Sequence, residues 1–257
     1  MLPFPGELHA EVVAAVLLAA AGYVALGWRR GARALTAGSV AFFGGLLAVL
    51  VALNGPLHDL SDDHLFSAHM VQHLLLTLVA APLLLAGTPG WMLDGVLGRL
   101  ERWRLGPLAR GLTRPLPAFT LAAVALVVWH LPGPYGAALA SHRLHIVEHL
   151  VLLVTAGLGW WPVLSASARA PRLHYAAQIL YLFALGLPMT VVAAMITGAE
   201  DVIYPGYGDA PRLFGLTPLE DQRLGGLIMW VPGGLIPLLA FTVVFFRWAA
   251  TEADEPL

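Results

Sequence analysis

Residues 65–87 read LFSAHMVQHLLLTLVAAPLLLAG, a run with no Asp, Glu, Lys or Arg. A helix needs about 20 apolar residues to cross the ~30 Å hydrocarbon core of a bilayer. Six further stretches have the same character: 8–28, 36–53, 114–131, 145–164, 174–197 and 224–246. Their apolarity is continuous and not alternating, so they read as helices rather than barrel strands, the only other structure that satisfies its backbone in lipid. The expected fold is all-α: a polytopic membrane helical bundle of seven transmembrane helices in a single transmembrane domain, 1–257. Composition agrees. Of 257 residues 58% are apolar and 12% charged, against about 25% charged in soluble domains, and the mean hydropathy is +0.76. So few charges cannot cover the surface of a water-soluble globule. A net charge of −2 with no long Arg run excludes a basic nucleic-acid binder. The absence of cysteine excludes disulfide scaffolds, thiolate chemistry, iron–sulfur clusters and Cys-based zinc sites.

Arginine sets the predicted orientation, because basic residues gather on the cytoplasmic side. With the N-terminus outside and the C-terminus cytoplasmic, eleven of the fourteen arginines fall inside: Arg29, Arg30, Arg33, Arg99, Arg102, Arg104, Arg110, Arg114, Arg169, Arg172 and Arg247. The opening MLPFPGELHAE has no basic segment, so the first helix is expected to be an anchor and not a cleaved signal. Residues 91–105 place Trp91, Met92, Leu93, Val96, Leu97, Leu100 and Trp103 at helical spacing among charges, which predicts an amphipathic helix in the inner interface. Pro82, Pro188, Pro232 and Pro237 are expected to kink their spans.

In this topology nine of the ten histidines lie towards the outside and only His174 inside. The acids Asp59, Asp62, Asp63, Glu148, Glu200, Asp201, Asp209, Glu220 and Asp221 lean the same way. His69 and His73 open the third span one turn apart, and His145 and His149 open the fifth, so each pair shares a helix face. His130 ends the fourth span at the same depth. Ionisable groups inside a membrane are costly and normally face the bundle interior with a partner. A shared metal satisfies that demand; a polar network with Glu148, Gln72 and water is the alternative. Imidazole suits zinc, copper, iron and nickel, and thioether shifts the preference towards Cu(I). Met70 lies inside the first pair, with Met189, Met195 and Met229 near the outer half of the bundle; each is more ordinary as core filler, but together they favour copper. Haem held by one ligand from each pair, and zinc, are the other cofactor readings. His145-Ile146-Val147-Glu148-His149 also matches the inverted zinc-peptidase pattern, a weak signal in a chain rich in His. His9 and His174 read as interfacial or structural. His58, Asp59, Asp62, Asp63 and His64 make either a collecting mouth or a solvated loop, and His142 is a helix-cap histidine that joins them as an entry residue.

His69-Met70-Val71-Gln72-His73-Leu74-Leu75-Leu76, Ala81-Pro82-Leu83, Gly87-Thr88-Pro89, Trp129-His130-Leu131-Pro132, Tyr135, His145 to His149, Gly159-Trp160-Trp161-Pro162-Val163 and Asp221-Gln222-Arg223-Leu224-Gly225-Gly226-Leu227-Ile228-Met229-Trp230 occur in this order. Together they resemble the seven-helix CtaG-type cytochrome oxidase assembly factors of bacteria, over roughly residues 35–246. The resemblance implies a multi-pass protein of the bacterial cytoplasmic membrane that is not an enzyme. It would bind copper, as Cu(I), and deliver it to a haem–copper oxidase. Partners would then be oxidase subunits, extracytoplasmic copper carriers and membrane lipid. Functional positions carried over are His69, His73, His130, His145 and His149. Asp221 and Gln222 would either hydrogen-bond a ligand's free nitrogen or brace a loop. A haem-binding redox protein and a copper or proton transporter are the competing classes.

Overall fold

In the computed structural model residues 8–32, 35–208 and 210–253 are described; Arg33, Asp209 and the first seven residues, used above for orientation, fall outside them. Every regular element among the described residues is helical. The chain forms α1 (Ala10–Arg29), α2 (Ala37–Ala52), α3 (Pro56–Asp63) and α4 (Phe66–Leu74), which runs through a π-helical turn (Leu75–Ala80) into α5 (Ala81–Gly87). There follow α6 (Gly90–Arg102), α7 (Gly106–Leu112), α8 (Pro115–Trp129), α9 (Pro132–Leu139), α10 (His142–Leu164), α11 (Tyr175–Thr197) and α12 (Pro218–Ala253).

Five units are each long and apolar enough to cross a membrane: α1, the continuous 66–87 unit, α10, α11 and α12. The count reaches seven when α2 with α3, bent by 47°, and α7 with α8, bent by 72°, are each taken as one span. The expected second and fourth spans are thus shorter as straight helices. α2 has 16 residues and α8 has 15, about 24 and 22 Å at 1.5 Å per residue. Gly55 at φ +71° breaks the first pair, and Pro115 opens α8 after a non-helical Arg114.

Helix ends depart from the expected boundaries for identifiable reasons. α12 starts at Pro218, six residues before the predicted span, because Thr217 and Glu220 form a reciprocal cap: Thr217 N–H and Oγ1 reach Glu220 Oε2 at 2.8 and 2.7 Å. The interfacial helix stops at Arg102, since Arg104 takes a left-handed φ of 62°. Leu93 and Leu97 of the shortened helix are buried, while Val96 and the following Trp103 are exposed.

Pro82 changes the hydrogen bonding of the third span. The N–H of Ala81 bonds Leu76 O, five residues back, so in that register Thr77 O would look for the N–H of residue 82. Proline has none. The indole Nε1–H of Trp160 donates to Thr77 O at 3.0 Å instead, satisfying the freed carbonyl from α10.

The core gathers α4, α10, α11 and α12 around Phe66, Met70, Leu182, Met189 and Met229. Small residues let the helices approach, as in membrane packing generally. A Cβ at Gly87 would lie 2.3 Å from Phe42 N, and one at Gly226 would lie 2.4 Å from Thr197 Oγ1. α1 is attached differently, with no buried residue. Near its C-terminal end Tyr23 stacks on Phe42 at 4.1 Å and donates to Gly87 O at 3.0 Å. At its N-terminal end His9 N–H donates to Asn54 Oδ1 at 2.8 Å.

The two ends of the bundle differ in chemistry. At one end Asp94 accepts from Ser167 Oγ at 2.5 Å and from Arg169 N–H at 3.1 Å, and Glu101 pairs with Arg110 and Arg169. His174 caps α11 there, its Nδ1 facing Ala177 N–H at 3.5 Å. The starts of α1, α4, α10 and α12 and the end of α8 meet at the other end, and they bring the remaining histidines together.

Candidate metal centre

The first turn of α4 is held by Asp221 on α12. Its carboxylate accepts Phe66 N–H at 2.7 Å, Ser67 N–H at 3.2 Å and Ser67 Oγ at 2.5 Å. A carboxylate on the free N–H groups of a helix start is favourable, and it fixes the rotation of α4. That rotation sends His69 and His73 into the bundle, 1% and 3% exposed. Gln222 accepts Ile203 and Tyr204 N–H at 2.6 and 3.3 Å and donates to Asp201 O at 3.2 Å. Both residues therefore brace a helix start and a loop, and touch no imidazole in the structure.

His69, His145, Glu148 and His149 are all buried, and each offers a ligand atom within 4.8 Å of the others. His73 and His130 border them. His69 Nε2 and His73 Nε2 are 2.8 Å apart, so one ring donates to the other. The His73 ring centre lies 5.4 Å from His130 and 5.5 Å from His149. His145 stacks between His69 at 5.2 Å and His58 at 5.9 Å.

Second contacts set the tautomers. His130 Nδ1 lies 2.7 Å from Leu126 O, which can only accept, so Nδ1 carries the proton and Nε2 the lone pair. His145 Nδ1 faces Asp62 Oδ2 at 3.3 Å, and its Nε2 is likewise released. Among the described residues, His130 Nε2, His145 Nε2, His149 Nε2 and both oxygens of Glu148 are buried with no hydrogen-bond partner. His73 Nε2 and His69 Nε2 approach Glu148 only to 3.6 and 3.9 Å, beyond hydrogen-bond reach. Each orphaned buried polar atom costs about 1–3 kcal/mol. Several in one layer make a donor set of imidazole nitrogens and one carboxylate, which fits a borderline cation such as copper or zinc.

The other expected positions are distributed around this group. Gln72 donates to Ala52 O at 2.8 Å and meets His58 Nδ1 at 2.9 Å, tying α4 to the turn after α2. His58 in turn lies 3.5 Å from Asp62 Oδ1. Asp59 and His64 sit on α3 and its cap, joined by His64 Nδ1 to Asp59 O at 3.3 Å, and are not members of the four-residue group. His142 is exposed at the start of α10. Met70 is fully buried against α12, where its Cγ is 3.1 Å from the position of a Gly225 Cβ. It belongs to the apolar core with Met189 and Met229.

Two tyrosines of the 198–217 loop close the group from above, and the sequence reading did not single them out. Tyr204 OH donates to His130 O at 2.7 Å. Tyr207 OH donates to Ser61 O at 2.6 Å, lies 2.9 Å from Tyr135 OH, and stands 3.5 Å from His69 Nδ1. Burial pushes all three phenols above their ordinary range, so they stay neutral. Their signal was a Tyr-Pro-Gly-Tyr cluster in an otherwise polar loop.

Helices as the regular structure of the described residues, five to seven candidate spans and a buried His/Glu group mark a multi-pass membrane protein with a candidate cation site. Residues 18–251 match the profile of the cytochrome c oxidase caa3 assembly factor family (Caa3_CtaG). The chain belongs to that family. It is also 26% identical to Uncharacterized protein Mb0105 of Mycobacterium bovis and to Uncharacterized protein MT0111 of Mycobacterium tuberculosis, each over 91% of this chain. The match spans about 37% of the length of these curated relatives. No solved structure matches.

Proposed function

We propose that the protein acts in oxidase assembly by holding a copper ion, as cargo, at His69, His145, Glu148 and His149, with His73 and His130 within reach, and passing it to the oxidase. The observation that carries this reading is the set of orphaned ligand atoms, three imidazole Nε2 and one carboxylate, in one layer of an oxidase assembly factor. Cu(I) is the expected state: its single charge offsets that of the buried Glu148. The thioethers lie in the core, so selection falls to imidazole and carboxylate. A cargo site needs ligands that hold without sealing, and it needs no general base; the protein is read as a carrier and not as an enzyme.

The bundle is read as seven spans with the N-terminus outside, in the bacterial cytoplasmic membrane, which puts the histidine end at the outer face and the Asp94–Arg169 end at the cytoplasm. Oxidase subunits and an extracytoplasmic copper donor would then meet the same face. Copper content of detergent-purified protein tests the site. Wild type and His174→Ala should bind copper with the same stoichiometry, and His145→Ala/His149→Ala should bind one ion per chain fewer, without a Soret band appearing. An unchanged stoichiometry in the double variant would overturn the reading.

A further inference from the structure

A second group of ligands stands at the outer end of α1. His9, Glu11 and His142 each offer a ligand atom within 4.8 Å of the others. His9 Nδ1 already lies 3.3 Å from Glu11 Oε1, and the rings of His9 and His142 stack at 5.9 Å. Glu11 and His142 are exposed and His9 is half-buried, so the group faces the surroundings. His9 and Glu11 precede residue 18, where the family match begins.

Two observations connect this group with the buried one. The first is a ladder of rings. His9 meets His58 at 4.4 Å, His58 stacks on His145 at 5.9 Å with planes 16° apart, and His145 stacks on His69 at 5.2 Å. The second is a cavity of about 380 Å³ between α1 and the body of the bundle. It is lined by His9, Glu11 and His142 and also by His58, His145 and His149. The rest of its wall is aliphatic, with Val12, Val16, Leu46 and Leu153 among the lining residues, so the imidazoles are its main polar atoms.

We propose that His9, Glu11 and His142 form a second, outward-facing metal-ion site that captures copper and loads the buried site through His58. The two imidazoles and one carboxylate hold a borderline cation, and solvent exposure keeps the binding weak. The ion moves by ligand exchange without a change of oxidation state: His58 binds as Glu11 or His142 releases, and His145 then takes it from His58. The loading step rests on the buried site proposed above; the outer site does not.

The test uses the full chain in detergent with Cu(I) supplied by a chromogenic chelator, whose absorbance reports both stoichiometry and rate. Wild type should take up two ions per chain. Glu11→Gln/His142→Asn, both at exposed side chains, should take up one. Loss of the captured ion removes a local concentration on the order of millimolar, so loading of the remaining site should slow by about tenfold or more. His58→Ala should keep two sites and show the same slow second phase. Two ions in Glu11→Gln/His142→Asn, or one ion at an unchanged rate, overturns the proposal. If copper is lost in this variant but kept in His145→Ala/His149→Ala, the outer site stands and the buried one fails.

Discussion

His145 Nδ1 and Asp62 Oδ2 face each other at 3.3 Å across the gap between α10 and α3. The carboxylate holds one ring nitrogen and leaves the other buried without a partner, the arrangement by which outer-sphere acids raise the basicity of a ligating histidine. Asp62→Asn should therefore weaken copper binding by about 10–100-fold with the fold intact. Competition against a Cu(I) chelator, with circular dichroism as the folding control, checks it; unchanged affinity would remove Asp62 from the site.

Glu148 should show opposite signs in the two states. Without metal its buried, unpartnered carboxylate is a burden, and Glu148→Leu should raise stability by about 1–3 kcal/mol. With copper supplied, the wild type should be stabilised by ligand linkage and the variant much less. Thermal melts with and without Cu(I) decide the matter, and a variant destabilised without metal would show that the carboxylate already has a partner.

Trp160→Phe should cost about 1–3 kcal/mol by stranding Thr77 O in an apolar interior. Copper stoichiometry should not change, because the indole N–H bonds the π-turn and not a histidine. A loss of copper there would mean that the turn sets the aim of His73.

Asp94 governs the opposite end. The Ser167 hydroxyl, with the N–H groups of Arg169 and Ala168, holds its carboxyl below the ordinary carboxylate range. A depressed folded pKa contributes stability that is present above the unfolded value and is lost as pH falls through the folded one. Amide exchange in 165–170 should thus accelerate as the solution is acidified below the usual carboxylate range. Asp94→Asn should exchange fast at neutral pH and show no such acid step.

Much of this was legible in the sequence, and the reasons are particular. Apolar runs announced the long helices, because lipid leaves the backbone no other choice. The i, i+4 spacing put His69 with His73 and His145 with His149 on shared faces, and the structure keeps both pairs buried and adjacent. Glu148 was read only as a supporting residue, although its place between His145 and His149 on the same turn foretold its position. Met70 shows the limit of neighbourhood in sequence: one residue from His69 is about 100° around the helix, enough to aim it at Gly225. The contacts of His9 were not legible. Its partners His58 and His142 are distant in the chain, and only the approach of α1 to α10 brings them together. The Thr217–Glu220 cap has the Thr-x-x-Glu spacing of a helix start.

The turn at Leu75–Ala80 accommodates one residue more than a regular helix would use between His73 and Pro82. Deleting a single residue there would let the segment close into ordinary helix and turn everything on one side of the seam by about 100° relative to the other. Either the imidazole pair would swing away from α10 or Leu84 and Gly87 would lose their seats on α2. The extra residue therefore works as a phase adjuster: it lets the histidine-bearing half and the half packed on α2 obey different angular requirements within one span, and it makes this span far less tolerant of length change than of substitution.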